Sequence, residues 1–146
     1  MVAMGPDELN AFLAAAFPDS PLPMQVTKAD ESGVEMRWPY HQSQLRPGGT
    51  ISGPTLMTLA DTVAYVAVVS HIGPEFMTVT SRLSIDFLRK PPPADLRATG
   101  EVLKLGRRQA VISIRIHSTH DDELVAYSTC TYALPSKPTA DTGEAP

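Results

Sequence analysis

One stretch limits the folds open to this chain more than any other: Gly49-Thr-Ile-Ser-Gly-Pro-Thr-Leu-Met-Thr-Leu-Ala-Asp-Thr-Val-Ala-Tyr-Val-Ala-Val-Val-Ser70. It reads as a helix with a marked start. The Ser52 hydroxyl can accept from an orphan backbone N–H, which makes it the N-cap. Pro54 falls in the first turn, where its missing N–H has no intrahelical partner to lose. Beyond it, Leu56, Met57, Leu59, Ala60, Val63, Ala64, Val66, Ala67, Val68 and Val69 occupy nearly every side of a 3.6-residue spiral. Such a helix is predicted to lie buried at the centre of a domain. At about 30 Å for roughly 20 residues it has the length of a membrane span, but Thr, Asp and Tyr interrupt it and no span is expected. In its middle stands Asp61. A carboxylate among apolar neighbours is costly unless it is hydrogen-bonded or paired. One reading makes Asp61 structural, bonded to Thr58 or Thr62 or set on a solvated face. The other makes it a catalytic carboxylate.

The chain has 146 residues, enough for one domain with a real core. Its net charge of −4 argues against nucleic acid as the main partner, so any anionic ligand must be met by local positive charge. Cys130 is the lone cysteine, which excludes an internal disulfide and fits a reducing compartment. The first residues carry Asp7 and Glu8 with no basic region before an apolar run. They do not read as a signal peptide, and a cytoplasmic location is expected.

Residues 6–17 have the pattern of a short amphipathic helix, with Pro6, Asp7 and Glu8 suited to its start and Leu9, Phe12, Leu13 and Phe17 on one face. Residues 18–23 form a breaker loop. Residues 24–30 and 34–41 read as two strands about the turn 31–33. A polar loop, 41–49, leads into the central helix, and His71-Ile-Gly-Pro74 ends it. From Met77 to Phe87 the odd positions are apolar except Ser81 and the even ones polar, which predicts a strand with one buried face. Arg89-Lys-Pro-Pro-Pro93 stops it, because consecutive prolines cannot continue a ladder. Strands follow over 96–105, 110–117 and 123–134, joined by the turns 106–108 and 119–122. Short connections imply antiparallel pairing. The expected architecture is α+β, a curved antiparallel sheet enclosing one long helix, in a single domain over 1–135 that includes the N-terminal helix and loop of 1–22. Residues 136–146, rich in Pro, Thr, Ala and Gly, are expected to be a disordered tail.

This order of elements resembles the hotdog fold, and the residues resemble its phenylacetate-degradation-type (PaaI-like) acyl-CoA thioesterases. The likeness runs from about Met24 to Leu134. That family shows an Asn, then His-Gly-Gly entering the helix, then Leu-Ala-Asp. Counted back from Leu59-Ala60-Asp61, the Gly-Gly pair falls on Gly53-Pro54, the His on Ser52 and the Asn near Arg46. The strand Val79-Thr-Ser-Arg-Leu-Ser-Ile-Asp-Phe-Leu-Arg-Lys-Pro91 resembles the family's next strand, with Thr80 where a Ser or Thr helps to hold the nucleophilic water. Gly53 and Asp61 match, and Thr80 fits. Ser52, Pro54 and Arg46 depart from the pattern. The resemblance implies an acyl-CoA substrate whose coenzyme A is part of the substrate, no further cofactor, and a homodimer or a dimer of dimers.

Thioester hydrolysis needs an activated water and donors for the developing oxyanion. A carboxylate can act as general base or attack the carbonyl itself. A helix N-terminus offers backbone N–H groups and a positive dipole end. Gly53 can donate its N–H and Pro54 cannot. Gly53 and Asp61 are eight residues apart, about 12 Å along one helix axis, too far to serve one carbonyl carbon. If both act on one thioester, two antiparallel central helices must supply them, one from each half of a two-fold dimer. Arg89, Lys90, Lys104, Arg107 and Arg108 can meet the phosphates of coenzyme A, or simply solubilise loop tips. Arg46 is a further candidate for a phosphate or an acyl carboxylate, and Ser52 lies at the same entrance.

Other candidates are weaker. His41, His71, His117 and His120 lack metal-ligand spacing, so no metal is expected. His71 fits a dipole-compatible helix end. Asp121-Asp-Glu123 reads as a hairpin turn and Cys130 as core. Ser52 has no neighbouring His to make it a nucleophile. Two rival functions stand beside hydrolysis. One is acyl-CoA binding without turnover, suggested by Ser52 in the His position. The other is a hotdog dehydratase, which would need a His in the central helix before His71.

Overall fold

The computed structural model describes residues 2–19 and 23–136, and the expected tail lies almost wholly outside them. Helix α1 spans Pro6–Ala16. Strands β1, Gln25–Asp30, and β2, Gly33–Trp38, form a hairpin. Helix α2 spans Gly53–Ile72 and is followed by β3 (Val79–Phe87), β4 (Leu96–Leu105), β5 (Gln109–Ser118) and β6 (Leu124–Ala133). The six strands make one sheet in the order β1-β2-β4-β5-β6-β3, with every neighbouring pair antiparallel. β2 and β4 are therefore partners although α2 and β3 separate them in sequence, and β3 is sent to the far edge beside β6.

The caps fix α2. The Ser52 hydroxyl accepts from the Thr55 N–H at 3.2 Å, and Pro54 stands in the first turn. Gly73 closes the other end at φ 92°, a left-handed conformation that L side chains rarely adopt. His71 sits in the last turn, its Nδ1 3.0 Å from the Ala67 carbonyl. The helix is long and apolar enough to cross a membrane by length and composition, but it is the core helix of this fold. Val63, Ala64, Val66, Ala67 and Val69 are fully buried, as are Leu96, Ala98, Ile112, Ile114 and Ile116 on the sheet beneath. Each buried Val, Leu or Ile here contributes on the order of 1.5–3 kcal/mol over its exposed state and each Ala roughly 0.8 kcal/mol, so this layer supplies much of the folding drive.

The burial is uneven along α2. From Val63 to Ser70 every residue is buried, whereas Pro54, Met57 and Thr58 are exposed and Asp61 and Thr62 half-buried. Spaced three or four apart, these residues form one open stripe on the first half of the helix. The expectation of apolar cover on nearly every side therefore holds for the second half only. The sheet has run out at this point, because β3 is its last strand.

β3 departs from its sequence pattern for a related reason. Its register against β6 slips between Thr80 and Arg82, so Ser81 is an extra residue. Such a bulge exchanges the two faces of the strand. Thr80 thus shares the helix-facing side with Leu83, Ile85 and Phe87, opposite Tyr132, Cys130, Ser128 and Ala126. The apolar side of β3 is not fully covered either: Leu83 and Ile85 are half-buried and Phe87 is 51% exposed. The strand expected over 34–41 ends at Trp38, because Pro39 follows, and residues 42–44 form a 3₁₀ turn. α1 is pinned to β1 by Asn10, whose amide bonds both the Val26 N–H at 2.8 Å and the Val26 carbonyl at 3.1 Å.

One glycine sets how closely α2 lies on the sheet. A Cβ at Gly100 of β4 would stand 2.7 Å from Cγ1 of Val63, a buried β-branched side chain with little rotamer freedom. Gly100→Ala is expected to destabilise the domain by roughly 1–3 kcal/mol through overpacking, read as a lower urea midpoint with an unchanged slope.

Candidate active site

Asp61 sits at the boundary between the open and closed halves of α2. Its Oδ1 accepts hydrogen bonds from Thr80 Oγ1 at 2.6 Å and from the Tyr132 hydroxyl at 2.7 Å, and Cys130 Sγ lies 3.9 Å away. The same hydroxyl is 3.0 Å from the Asp61 backbone carbonyl. Thr58 and Thr62 do not hold the carboxylate. Their hydroxyls donate to helix carbonyls, Thr58 to Pro54 and Thr62 to Thr58, the ordinary satisfaction of a threonine in a helix. Among the described residues nothing bonds Oδ2. The carboxylate is therefore fixed through one oxygen and offers the other.

The donors around Oδ1 are held in their protonated forms. Burial, and then the facing Asp61 charge, push the Cys130 thiol up to about 12. The thiol is thus a packed, weakly donating group and no nucleophile. Burial foremost, with the Asp61 carboxylate acting in the same sense, drives the Tyr132 phenol well above its usual range. Tyr132 was absent from the sequence candidates. The sequence places it only on the inner face of the last strand; the register that sets it opposite Thr80, where its buried phenol finds a partner, is seen in the sheet alone.

The other candidate end lies at the start of α2. Ser52 donates its N–H to the Gln44 carbonyl and gives its hydroxyl to Thr55. Pro54 has no N–H, and Leu56 donates to Ser52. This leaves the Gly53 N–H as the donor without a partner among the described residues at the positive end of the helix. The Phe87 ring stands beside it, 3.5 Å from where a Gly53 Cβ would be.

The sheet register sorts the basic residues between these two ends. Ala110 pairs with Tyr132 and Tyr132 with Thr80, so the 106–108 turn carrying Arg107 and Arg108 lies at the Asp61 end, with Lys104 entering it. Arg89 and Lys90 follow Phe87 at the Gly53 end. Arg89 is partly engaged there, bonding the Leu124 carbonyl at 2.8 Å and Glu123 at 3.4 Å. Lys90, Lys104, Arg107, Arg108 and Arg46 are exposed, and their side chains have no hydrogen-bond or ion-pair partner among the described residues. Within one chain the structure thus brings Asp61 and Thr80 together, groups Ser52, Gly53, Arg89 and Lys90 elsewhere, and leaves a span of α2 between them. Among the described residues no three His, Cys, Asp or Glu side chains cluster as metal ligands.

A profile of the thioesterase superfamily matches residues 48–131, the segment that carries both ends of this site. The chain belongs to the thioesterase superfamily. It is 38% identical to a candidate thioesterase of a Silicibacter species, a match covering 92% of this chain and 94% of that one with a TM-score of 0.85. The fold recurs in zebrafish thioesterase superfamily member 2, 21% identical over 91% of this chain and 100% of that one at TM-score 0.79. It recurs again in a Haemophilus influenzae thioesterase, 17% identical over 95% and 96% of the chains at TM-score 0.78. No curated protein matches the sequence. The wrapped-helix α+β architecture of this superfamily member is thus the hotdog fold.

The hydrogen-bond scheme has a direct consequence. Tyr132→Phe leaves Oδ1 and the Asp61 carbonyl without their phenol, and it is expected to cost roughly 1–3 kcal/mol of stability in chemical denaturation. Cys130→Ser, which keeps a donor, is expected to cost less.

Proposed function

We propose that the protein hydrolyses an acyl-CoA to free acid and coenzyme A. In this reading it works as a PaaI-like homodimer in which Asp61 of one subunit acts with the Gly53 N–H of the other. The observation that carries the reading is the split between a carboxylate with one free oxygen and a helix end with one free donor. Eight residues of the same helix lie between them, about 12 Å of axis.

The edge strand supports the two-fold arrangement. Among the described residues β3 has a strand partner on one side only. Exposed Val79 and Phe87 in it and Met77 just before it, with Met57 on the adjacent open stripe of α2, make an apolar border that favours a second copy. Antiparallel pairing of two β3 edges would set the Thr80 end of one strand beside the Phe87 end of the other. That juxtaposes Asp61 with the partner's Gly53 and doubles the site by symmetry. Arg107 and Arg108 of one subunit would then approach Arg89 and Lys90 of the other, concentrating positive charge for the phosphates of coenzyme A. Arg46 and Lys104 are the outlying members of this group. A further pairing of dimers, no cofactor beyond the substrate's own coenzyme A, and a reducing cytoplasm suited to the lone thiol complete the reading.

In this scheme the thioester oxygen accepts from the Gly53 N–H. Asp61 Oδ2 takes a proton from a water whose oxygen bonds the carbonyl carbon. Thr80, which donates its own proton to Oδ1, keeps lone pairs to accept the water's second hydrogen. Collapse of the tetrahedral intermediate breaks the C–S bond, and the departing thiolate recovers the proton from Asp61. Direct attack by the carboxylate is the alternative use of the same oxygen.

Asp61→Asn keeps the shape but lacks the base. It is expected to lower thiol release by about two to four orders of magnitude with the oligomer unchanged in light scattering. Unaltered turnover would remove Asp61 from the chemistry. Saturable acyl-CoA binding without thiol release by the wild type would establish the binding-protein alternative. Gly53→Pro deletes the one free N–H at a position where proline suits a helix, and Ser52 already has a pre-proline backbone at φ −75°, ψ 154°. The expected loss is roughly 10²–10³-fold in kcat. Mixing the two inactive variants is expected to restore roughly a quarter of wild-type turnover if subunits pair at random, because half of the dimers then hold one intact site. A site built within one chain would show no recovery.

A further inference from the structure

A half-open chamber of about 460 Å³ lies between the end of α1 with Pro18, the residues Pro23, Met24 and Gln25 entering β1, and the open stripe of α2. Its volume falls in the range of small-molecule sites, about 300–1,000 Å³. Thr58 and Thr62 form its wall on α2. Asp61 is displaced from them by about 60° and 100° around the helix, so the chamber flanks the carboxylate on the side away from β3 and β6. Phe17, another lining residue, packs edge-on against Tyr65 at 6.4 Å between ring centroids, and Tyr65 is 6.0 Å from Tyr132, the phenol that holds Asp61.

The chemistry of the lining is more apolar than its residue names suggest. Leu13, Ala14, Phe17 and Met24 present hydrocarbon and a thioether. The hydroxyls of Thr58 and Thr62 are engaged by helix carbonyls and the Asn10 amide by Val26, which leaves the exposed Gln25 amide as the lining group with polar capacity for a guest. No charged side chain lines the chamber among the described residues. A carboxylated or phosphorylated group would lose part of its hydration there and meet no opposite charge.

From this geometry we infer that the chamber is the acyl pocket, that it takes an uncharged aliphatic or aromatic acyl group, and that Leu13, Ala14 and Met24 set the length accepted. The inference rests on the acyl-CoA reading above and goes beyond it by naming the acyl class and the residues that select it. The substrate then enters with its carbonyl at Asp61 and its hydrocarbon turned toward α1, while the coenzyme A portion leaves on the β3 side. α1, which lies before the region shared with the superfamily profile, becomes the specificity element.

The test uses the full-length chain with two matched series, acyl-CoA thioesters and the corresponding S-alkyl-CoA thioethers, which bind but cannot be hydrolysed. Wild-type affinity for the thioethers is expected to rise with chain length until the chamber is full. Ala14→Trp sits at an exposed helix position and fills the chamber. It is expected to weaken binding of the longest tight thioether roughly tenfold or more, since displacing about two buried methylenes already costs that much. The ratio of kcat/KM for that acyl chain over acetyl should fall by a similar factor. Leu13→Ala enlarges the space and should move the preferred length upward. A length profile unchanged in both folded variants would overturn the inference while leaving hydrolysis standing. Length-dependent binding that Ala14→Trp abolishes, with no thiol release from the wild type, would keep the chamber and remove the hydrolase reading.

Discussion

The structure depends on one packing constraint: an apolar helix too oily for water must lie against a sheet with a concave face wide enough to cover it. Every other arrangement in the domain follows from how far that cover extends. Gly100 removes a side chain where Val63 needs to pass, which brings the helix close enough for Ile112 and Ile114 to seal it. The first half of α2 is covered on one face only: Leu56, Leu59 and Ala60 are sealed, while Met57 and Thr58 look past the last strand and Asp61 meets it through Thr80. A single chain leaves the other face and the β3 edge open together, and both carry exposed apolar side chains. In the proposed scheme, incomplete cover of one chain and the division of the catalytic groups between two are therefore two expressions of the same shortage of sheet.

Local rules made much of the fold legible in the sequence. Ser52, Pro54 and Gly73 act within a turn of where they stand, so both ends of α2 could be read from neighbouring residues. The turns after Leu105 and Ser118 were legible for the same reason. β3 was less so. Alternation from Met77 to Phe87 suggested one buried face, but alternation does not say whether the covering surface belongs to the same chain. The bulge at Ser81 was also silent, since one extra residue in a ladder alters neither composition nor length noticeably. Yet that slip turns Thr80 toward Asp61.

The site was legible to the same extent. Asp61 stood out because a carboxylate is out of place in an apolar spiral, and Gly53 because a helix start next to a proline has few donors. Tyr132 did not stand out. On β6 it looks like one more large residue on the inner face, and only the pairing of β6 with β3 shows that its hydroxyl meets the carboxylate. The basic residues show the converse. Arg89, Lys90, Arg107 and Arg108 looked like one group by charge, but the sheet separates them to opposite ends of β3, and only a second subunit could draw them together.

The position of Asp61 resolves the cost that first drew attention to it. A carboxylate fully inside the spiral would pay for lost hydration, and one fully outside would have no fixed orientation. Asp61 occupies the residue at which burial begins, with Thr58 open one turn before it and Val63 sealed two residues after. Its inner oxygen replaces water with hydroxyls from Thr80 and Tyr132, both held by the sheet. Its outer oxygen keeps access to solvent or to a guest. A rigidly aimed yet reachable oxygen follows from where the sheet ends, with no strained backbone at Asp61 to hold it there. The placement also explains why a neighbouring chamber can be apolar without harming the carboxylate: the Thr58 and Thr62 wall and the Thr80 and Tyr132 cradle lie on different flanks of one helix, and Asp61 sits on the ridge between them.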